Sequence, residues 1–127
     1  MLDTDSVSYA IRGAGRVAET LVSHPPSHLC ISAITLAELR YGAERRSSQK
    51  IHRAIETLAR SLSVAAFDED CAATYGRIGA KLAEKGEIIG DIDTMIAAHA
   101  LTLGVTLVTN NERHFSRVPA LRIANWF

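Results

Sequence analysis

Apolar residues alternate along the chain between short compact runs and longer stretches in which they recur every three to four positions. The compact runs at residues 29–33, 64–67, 105–109 and 121–123 predict strands, and residues 1–4 predict the short stub of another. The stretches between them have the period of amphipathic helices. Strands that alternate with helices predict an α/β domain with a mostly parallel sheet of four to five strands.

Residues with capping side chains mark the ends of several predicted helices. Thr35 and Glu38 have the spacing of a capping box, Asp68 and Asp93 are expected N-caps, and Gly104 is an expected C-cap. For Glu38 and Asp93, helix capping alone could explain why an acid stands at that position, so it is an alternative to a chemical role.

Length and composition restrict the class of protein. A chain of 127 residues, 47% hydrophobic and 22% charged, is expected to form one folded domain over residues 1–127. Lys and Arg number 14, as do Asp and Glu, so binding of nucleic acid by bulk positive charge is excluded, whereas a local basic patch is allowed. Cys30 and Cys71 form no CxxC motif, and no apolar run reaches about 18 residues, so we expect a cytoplasmic protein without a membrane span.

Acidic and amide residues follow the predicted strands, at the edge of the sheet where α/β domains bind their ligands. The set consists of Asp3, Asp5, Glu38, Asp91, Asp93, Asn110, Asn111 and Glu112. Carboxylates that converge on one cleft repel one another, and such a cluster persists only with a cation that neutralises it. Because every donor is an oxygen, the set favours Mg²⁺ or Mn²⁺ over zinc. His99 and His114 have no carboxylate or cysteine at useful spacing, so we interpret them as surface or satisfied residues with no part in the site.

Four blocks of the sequence resemble those of PIN-domain ribonucleases. They are Leu2-Asp3-Thr4, ITLAELRYG at residues 34–42, DTMIAAHA at residues 93–100 and LVTNN at residues 107–111. In order and spacing they are most similar to the VapC toxins of bacterial VapBC toxin–antitoxin modules, with FitB proteins close by. The resemblance covers essentially the whole chain. It implies a PIN fold, with a central parallel sheet and helices on both of its faces. It also implies a metal-dependent endoribonuclease that hydrolyses RNA and is inhibited by a cognate VapB-like antitoxin.

The same resemblance implies roles for individual residues. Asp3, Glu38 and Asp93 match the three principal acids of the family, which implies that they are catalytic and that they bind Mg²⁺, with Mn²⁺ as a plausible substitute. Thr109 matches a Thr or Ser that lines the same site. Asn111 falls where many relatives have a fourth Asp and many VapC-like members have Asn.

Two acids depart from the family pattern, and three arginines are candidate contact residues. Asp5 stands where Asn is usual, and Asp91 stands where an apolar residue or Pro is often found, so both are candidate supporting groups. Arg40, Arg45 and Arg46 are candidate contacts to RNA or antitoxin, with a solvated helix face as the alternative. The resemblance also implies a homodimer, or a hetero-oligomer with the antitoxin.

Two other interpretations use the same residues. The run Asp3-Thr4-Asp5-Ser6-Val7 also fits the DxDx[TV] loop of haloacid-dehalogenase-like phosphatases, in which Asp3 is the nucleophile and Asp5 the general acid. Against this, Asp93 lies too close to Asp91 for that motif, no Lys stands in the matching context, and the chain is short for that fold. The third interpretation is a catalytically degenerate module that only binds an antitoxin. It would require a broken acid set, whereas all three principal acids are present.

Overall fold

Four short strands and the single residue Leu2 form one parallel sheet in the computed structural model, which describes all residues from 1 to 127. The parallel pairs are β1 (Cys30–Ser32) with β2 (Ser63–Ala65), and β3 (Leu107–Val108) with β4 (Ile123–Ala124). Leu2 bridges Ile31 of β1 and Val108 of β3 in parallel and so joins the two pairs in the order β2-β1-Leu2-β3-β4. The predicted parallel sheet of four to five strands is confirmed.

Seven α-helices connect and flank the strands. They are α1 (Thr4–Arg12), α2 (Val17–Ser23), α3 (Ala33–Arg45), α4 (Gln49–Ser61), α5 (Glu69–Glu84), α6 (Asp91–Leu103) and α7 (Glu112–Phe115). A short 3-10 turn at Pro26–His28 precedes β1. None of the helices has the length and apolar character needed to cross a membrane.

Helices cover both faces of the sheet, as predicted, and each face has its own apolar core. Leu107 belongs to the core under α5, α6 and α7, whereas Val108 belongs to the core under α1, α3 and α4. Side chains alternate along a strand, and this alternation sends neighbouring residues to opposite faces. Met1 and Leu2 divide between the two cores in the same way.

The start of α3 differs from the prediction. The side-chain oxygen of Ser32, at the end of β1, accepts a hydrogen bond from the backbone N–H of Ile34 at 3.0 Å and caps the helix. Thr35 is therefore a buried residue inside the first turn and not an N-cap, and the predicted capping box of Thr35 and Glu38 is wrong. Glu38 lies beyond the first turn, so its carboxylate is available for contacts outside its own helix.

The start of α6 also differs from the prediction, whereas two other caps are confirmed. Gly90, with a φ of 97°, turns the chain so that α6 begins at Asp91, and Asp93 lies within the first turn instead of capping the helix. Asp68 caps α5 by accepting a hydrogen bond from the Cys71 N–H at 3.1 Å. Gly104 ends α6 with a φ of 64°, a conformation that costs glycine little.

The strands are shorter than the apolar runs that predict them. In the run at residues 105–109 only Leu107 and Val108 form a strand, because the Val105 N–H still bonds to the Ala100 carbonyl of α6 at 3.0 Å. This short strand ends directly at Thr109, which brings the polar segment that follows it to the same edge as Asp3.

Candidate active site

Asp3 is fixed at the carboxyl edge of the sheet by the backbone on both sides. Its N–H donates to the Val108 carbonyl at 3.0 Å, and its Oδ1 accepts from the Ser6 N–H at 2.7 Å as the cap of α1. The residue is 4% exposed. Burial raises the pKa of the Asp3 carboxyl above its ordinary value, although hydrogen bonds from Thr109 and Ser6 oppose the shift. Asp3 is thus a rigid acid with little solvent to stabilise its charge.

Glu38 extends from α3 toward the start of α1. The Thr4 hydroxyl donates a hydrogen bond to its Oε2. Burial raises the pKa of the Glu38 carboxyl, and the negative charges of Asp93, Asp5 and Asp3 raise it further. The structure therefore brings four acids close enough to repel one another. They are Asp3, which follows Leu2 in the chain, Asp5 of α1, Glu38 of α3 and Asp93 of α6.

Asp93 is held by two side chains of the segment that follows β3. Its Oδ2 lies 3.0 Å from Nδ1 of His114 and accepts a longer hydrogen bond of 3.4 Å from Nδ2 of Asn111. The Asn111 N–H donates to the Thr109 hydroxyl at 2.9 Å, which fixes the segment. Thr109 and Asn111 thus lie at the acids, where the sequence places them.

His114 is the site residue that the sequence interpretation missed, because it was given no part in the site although it contacts Asp93. Its partner Asp93 precedes it by 21 positions, so no local spacing reveals the pair. One signal was present: His114 stands three residues after Asn111, and on a helical turn such residues share a face.

Asp5 and Asp91, the two departures from the family pattern, have different surroundings. Asp5 is exposed in the first turn of α1, and its charge acts on both Asp3 and Glu38. Asp91 is exposed at the start of α6, where its Oδ1 accepts a hydrogen bond of 3.4 Å from the Tyr75 hydroxyl. It makes no hydrogen bond to the residues around the other acids.

The three candidate arginines also differ in their contacts. Arg40 forms an ion pair with Glu56 at 2.8 Å, and the Arg45 guanidinium lies over the Tyr41 ring, 5.9 Å from its centroid. Arg46 makes no ion pair and lines the cavity that contains Glu38.

The residue types of the donor set suit a hard divalent cation, but no group of three or more His, Cys, Asp or Glu side chains is placed so that it could hold a metal ion in this arrangement. Asp3, Glu38 and Asp93 each have one oxygen in contact with a neighbouring protein group. No Lys or Arg forms an ion pair with any of the three. Uncompensated carboxylate oxygens of this kind suit an ion such as Mg²⁺, which keeps several waters and takes further oxygens from phosphate.

Comparison with known proteins agrees with this geometry. The PIN domain family model matches residues 1–121. The chain is 39% identical to the tRNA(fMet)-specific endonuclease VapC of Salmonella typhimurium over 127 residues, which cover 99% of this chain and 96% of that protein. It is 40% identical to Ribonuclease VapC2 of Haemophilus influenzae, with the same coverage.

Solved structures show the same relationship. VapBC2 from Rickettsia felis, bound to a DNA fragment from its promoter, matches with a TM-score of 0.90 and 35% identity, covering 100% of this chain and 98% of that chain. FitAcB from Neisseria gonorrhoeae matches with a TM-score of 0.86 and 29% identity, covering 98% and 95%. The phosphatase and degenerate-module interpretations are not favoured by these relatives. PIN-domain nucleases in general depend on a divalent metal. The chain belongs to the PIN-domain family and, within it, to the VapC toxin ribonucleases of VapBC toxin–antitoxin modules.

Proposed function

We propose that the chain hydrolyses RNA phosphodiester bonds at Asp3, Glu38 and Asp93, which hold Mg²⁺, with Mn²⁺ as a functional substitute. The observation that carries the proposal is the environment of the Glu38 carboxyl, which is partly buried and close to other acids. This carboxyl has a raised pKa because it is partly buried and faces the charges of Asp3, Asp5 and Asp93, and no Lys or Arg side chain pairs with it. A divalent cation relieves that repulsion.

When bound, the cation supplies Lewis-acid stabilisation of the phosphate charge and lowers the pKa of a water. Asp3 and Asp93 would hold it, because four neighbouring residues keep these two carboxylates in place. Hydrogen bonds from Ser6 and Thr109 fix Asp3. Contacts with Asn111 and His114 fix one oxygen of Asp93 and leave its other oxygen free.

Glu38 is suited to orient the attacking water. Thr4 occupies its Oε2, whereas its Oε1 accepts no hydrogen bond from the protein and can accept one from water. A raised pKa makes this carboxylate a better proton acceptor than an ordinary exposed glutamate. Asp5 adds charge to the cluster and is assigned a supporting role, as is Asp91.

The protein partner is proposed to be a VapB-like antitoxin, since the matching structures are VapBC and FitAB complexes. A groove of about 390 Å³ between α1, α2 and α4 supports a protein partner, because its walls are mostly apolar and include Val22, which is 79% exposed. A single domain over residues 1–127, a homodimer and a cytoplasmic location remain predictions of the sequence.

The experiment is cleavage of single-stranded RNA by purified, antitoxin-free protein with Mg²⁺ or with EDTA. Asp3→Asn and Asp93→Asn should abolish cleavage, and Asn at position 3 still caps α1, so folding is retained. The matched control is Asp70→Asn, which removes the same charge from the exposed first turn of α5. Cleavage that persists in EDTA, or in both site variants, contradicts the proposal.

A further inference from the structure

A cavity of about 320 Å³ lies between α1 and α3 and opens beside the acids. Two rows of residues, each spaced four apart and so on one helix face, form its walls. The row on α1 is Thr4, Ser8 and Arg12, and the row along α3 is Glu38, Gly42 and Arg46. Eight residues of helix rise about 12 Å, so the cavity is a groove that runs from the acids to a pair of arginines.

The two ends of this groove carry opposite charge. Asp5 and Glu38 lie at one end, and Arg12 and Arg46 lie at the other. Neither arginine forms an ion pair with any carboxylate of the chain. Arg12 donates from its Nε to the Ser8 carbonyl at 3.1 Å, and its guanidinium lies over the Tyr9 ring, 5.4 Å from the centroid. Its terminal nitrogens make no hydrogen bond within the chain and remain available as donors.

The middle of the groove is open enough for the sugar–phosphate backbone of a nucleic acid. Gly42 has no heavy atom within 4 Å of the point where a Cβ would stand, so the wall of α3 is recessed there. The hydroxyl of Ser8 faces it from α1, and the remaining lining includes the apolar residues Ile11, Leu39 and Ile51. A polar wall beside apolar residues suits ribose better than a second charged group.

We propose that Arg12 and Arg46 form a subsite for a backbone phosphate of the RNA, on one side of the bond that is cleaved and at the far end of the groove from the acids. The inference rests on the proposed function. Guanidinium groups bind phosphate oxygens through paired hydrogen bonds, and two of them at one end of a groove fix the direction of the strand. A protein with no net charge depends on such a local pair to bring a polyanion to an acidic site.

The test is equilibrium binding of a short fluorescent single-stranded RNA in EDTA, over a series of salt concentrations. Arg12→Gln and Arg46→Gln should each raise the Kd about tenfold, and each should lower the slope of log K against log salt by about 0.7, the value for one lost phosphate contact on a single strand. Arg46→Lys should recover part of the affinity, because it keeps the charge but not the paired hydrogen bonds.

The matched control is Arg53→Gln, because Arg53 lies on α4 in a separate cleft with His52 and Glu56 and forms no ion pair. Its affinity and salt slope should equal those of the unchanged protein. In Mg²⁺, both groove variants should raise KM for RNA about tenfold, with kcat within about twofold, because neither arginine touches the reacting atoms. Thermal melting of each variant verifies that it is folded.

Three results overturn the inference. If Arg12→Gln and Arg46→Gln bind RNA with unchanged affinity and slope while the unchanged protein cleaves RNA, the subsite is wrong and the proposed function stands. If these variants lose antitoxin binding alone, the groove is a protein contact. If the folded, unchanged protein neither binds nor cleaves RNA, the proposed function fails together with the subsite.

Discussion

Nδ1 of His114 lies 3.0 Å from Oδ2 of Asp93 and links α7 to the first turn of α6. The helix that carries His114 has only four residues, and it is anchored by Phe115, which is 1% exposed. The buried ring next in the chain sets where the imidazole lies. His114 thereby fixes one oxygen of Asp93 and leaves the other free for a ligand.

Replacing His114 therefore tests whether the pair positions Asp93 for the metal. His114→Leu should weaken Mn²⁺ binding about tenfold, since loss of a group that orients a metal ligand costs on the order of 10–100-fold in affinity. His114→Asn places a donor close to the position of Nδ1 and should retain most of the affinity. Mn²⁺ binding measured by electron paramagnetic resonance gives this value without any assay of cleavage.

The control for this pair is His28→Leu in the exposed 3-10 turn, which should bind Mn²⁺ like the unchanged protein. Equal Mn²⁺ affinity in His114→Leu and His114→Asn would show that the contact has no positioning role.

Asp5→Asn separates a supporting acid from an essential one. Asp5 is exposed, and its charge raises the pKa of both Asp3 and Glu38, so its removal lessens repulsion without removing a buried ligand. We expect the variant to remain an active ribonuclease at saturating Mg²⁺, whereas Asp3→Asn is inactive. RNA cleavage by both variants at saturating and limiting Mg²⁺ is the measurement. If Asp5→Asn is as inactive as Asp3→Asn at saturating metal, the assignment of roles is wrong.

The raised pKa values predict how the stability of the metal-free protein depends on pH. The ordinary pKa values are 3.8 for Asp3 and 4.5 for Glu38, and both are raised in the folded state. The folded protein then binds more protons than the unfolded chain, so the contribution of these groups is present below the ordinary values and is lost as pH rises through the folded ones.

Mg²⁺ should reverse that loss, because it competes with protons for the same oxygens. The gain in the free energy of unfolding on adding Mg²⁺ should therefore be larger at pH 7 than at pH 4.5, measured by urea denaturation. The double variant Asp3→Asn, Glu38→Gln should show no such difference. A gain that is equal at both pH values, or larger at the lower one, contradicts the assignment.

If the antitoxin binds in the apolar groove between α1, α2 and α4, a substitution there should weaken antitoxin binding and leave ribonuclease activity unchanged. Val22 is 79% exposed, so Val22→Glu should fold normally, and it puts a charge into the groove proposed for the antitoxin. Antitoxin binding should weaken at least about tenfold, with RNA cleavage unchanged. The matched control is Ile88→Glu, which changes a residue that is 66% exposed outside the groove. Undiminished inhibition of Val22→Glu by the antitoxin would exclude this groove.

The sheet and the acids at its edge could be predicted from the sequence because both depend on local patterns. Compact apolar runs mark strands, and parallel strands end at a common edge, so Asp3 and Asn111 are expected near one another. The start of α3 was not predicted, since Ser32 belongs to the strand and caps the following helix at the same time.

Contacts between distant residues could not be read from the pattern. The partner of Asp93 is 21 positions away on α7, a helix too short to show a period. The orientation of the Arg40 side chain also depends on a distant residue. It pairs with Glu56, which lies 16 positions later in the chain on the neighbouring helix. His99 is another such case: its Nδ1 meets Ser32 at 2.8 Å, and its fully buried Nε2 has no protein partner.

The most direct measurement of the proposed site is the anomalous scattering of a crystal of this protein soaked in Mn²⁺. We expect a peak at about 2.0–2.3 Å from a carboxylate oxygen of Asp3 and one of Asp93, with Glu38 facing the metal directly or through water. In crystals of Asp93→Asn the peak should be absent or much weaker. A peak elsewhere in the molecule, or none while the acids keep their present hydrogen bonds at saturating Mn²⁺, would contradict a metal site formed by these three residues.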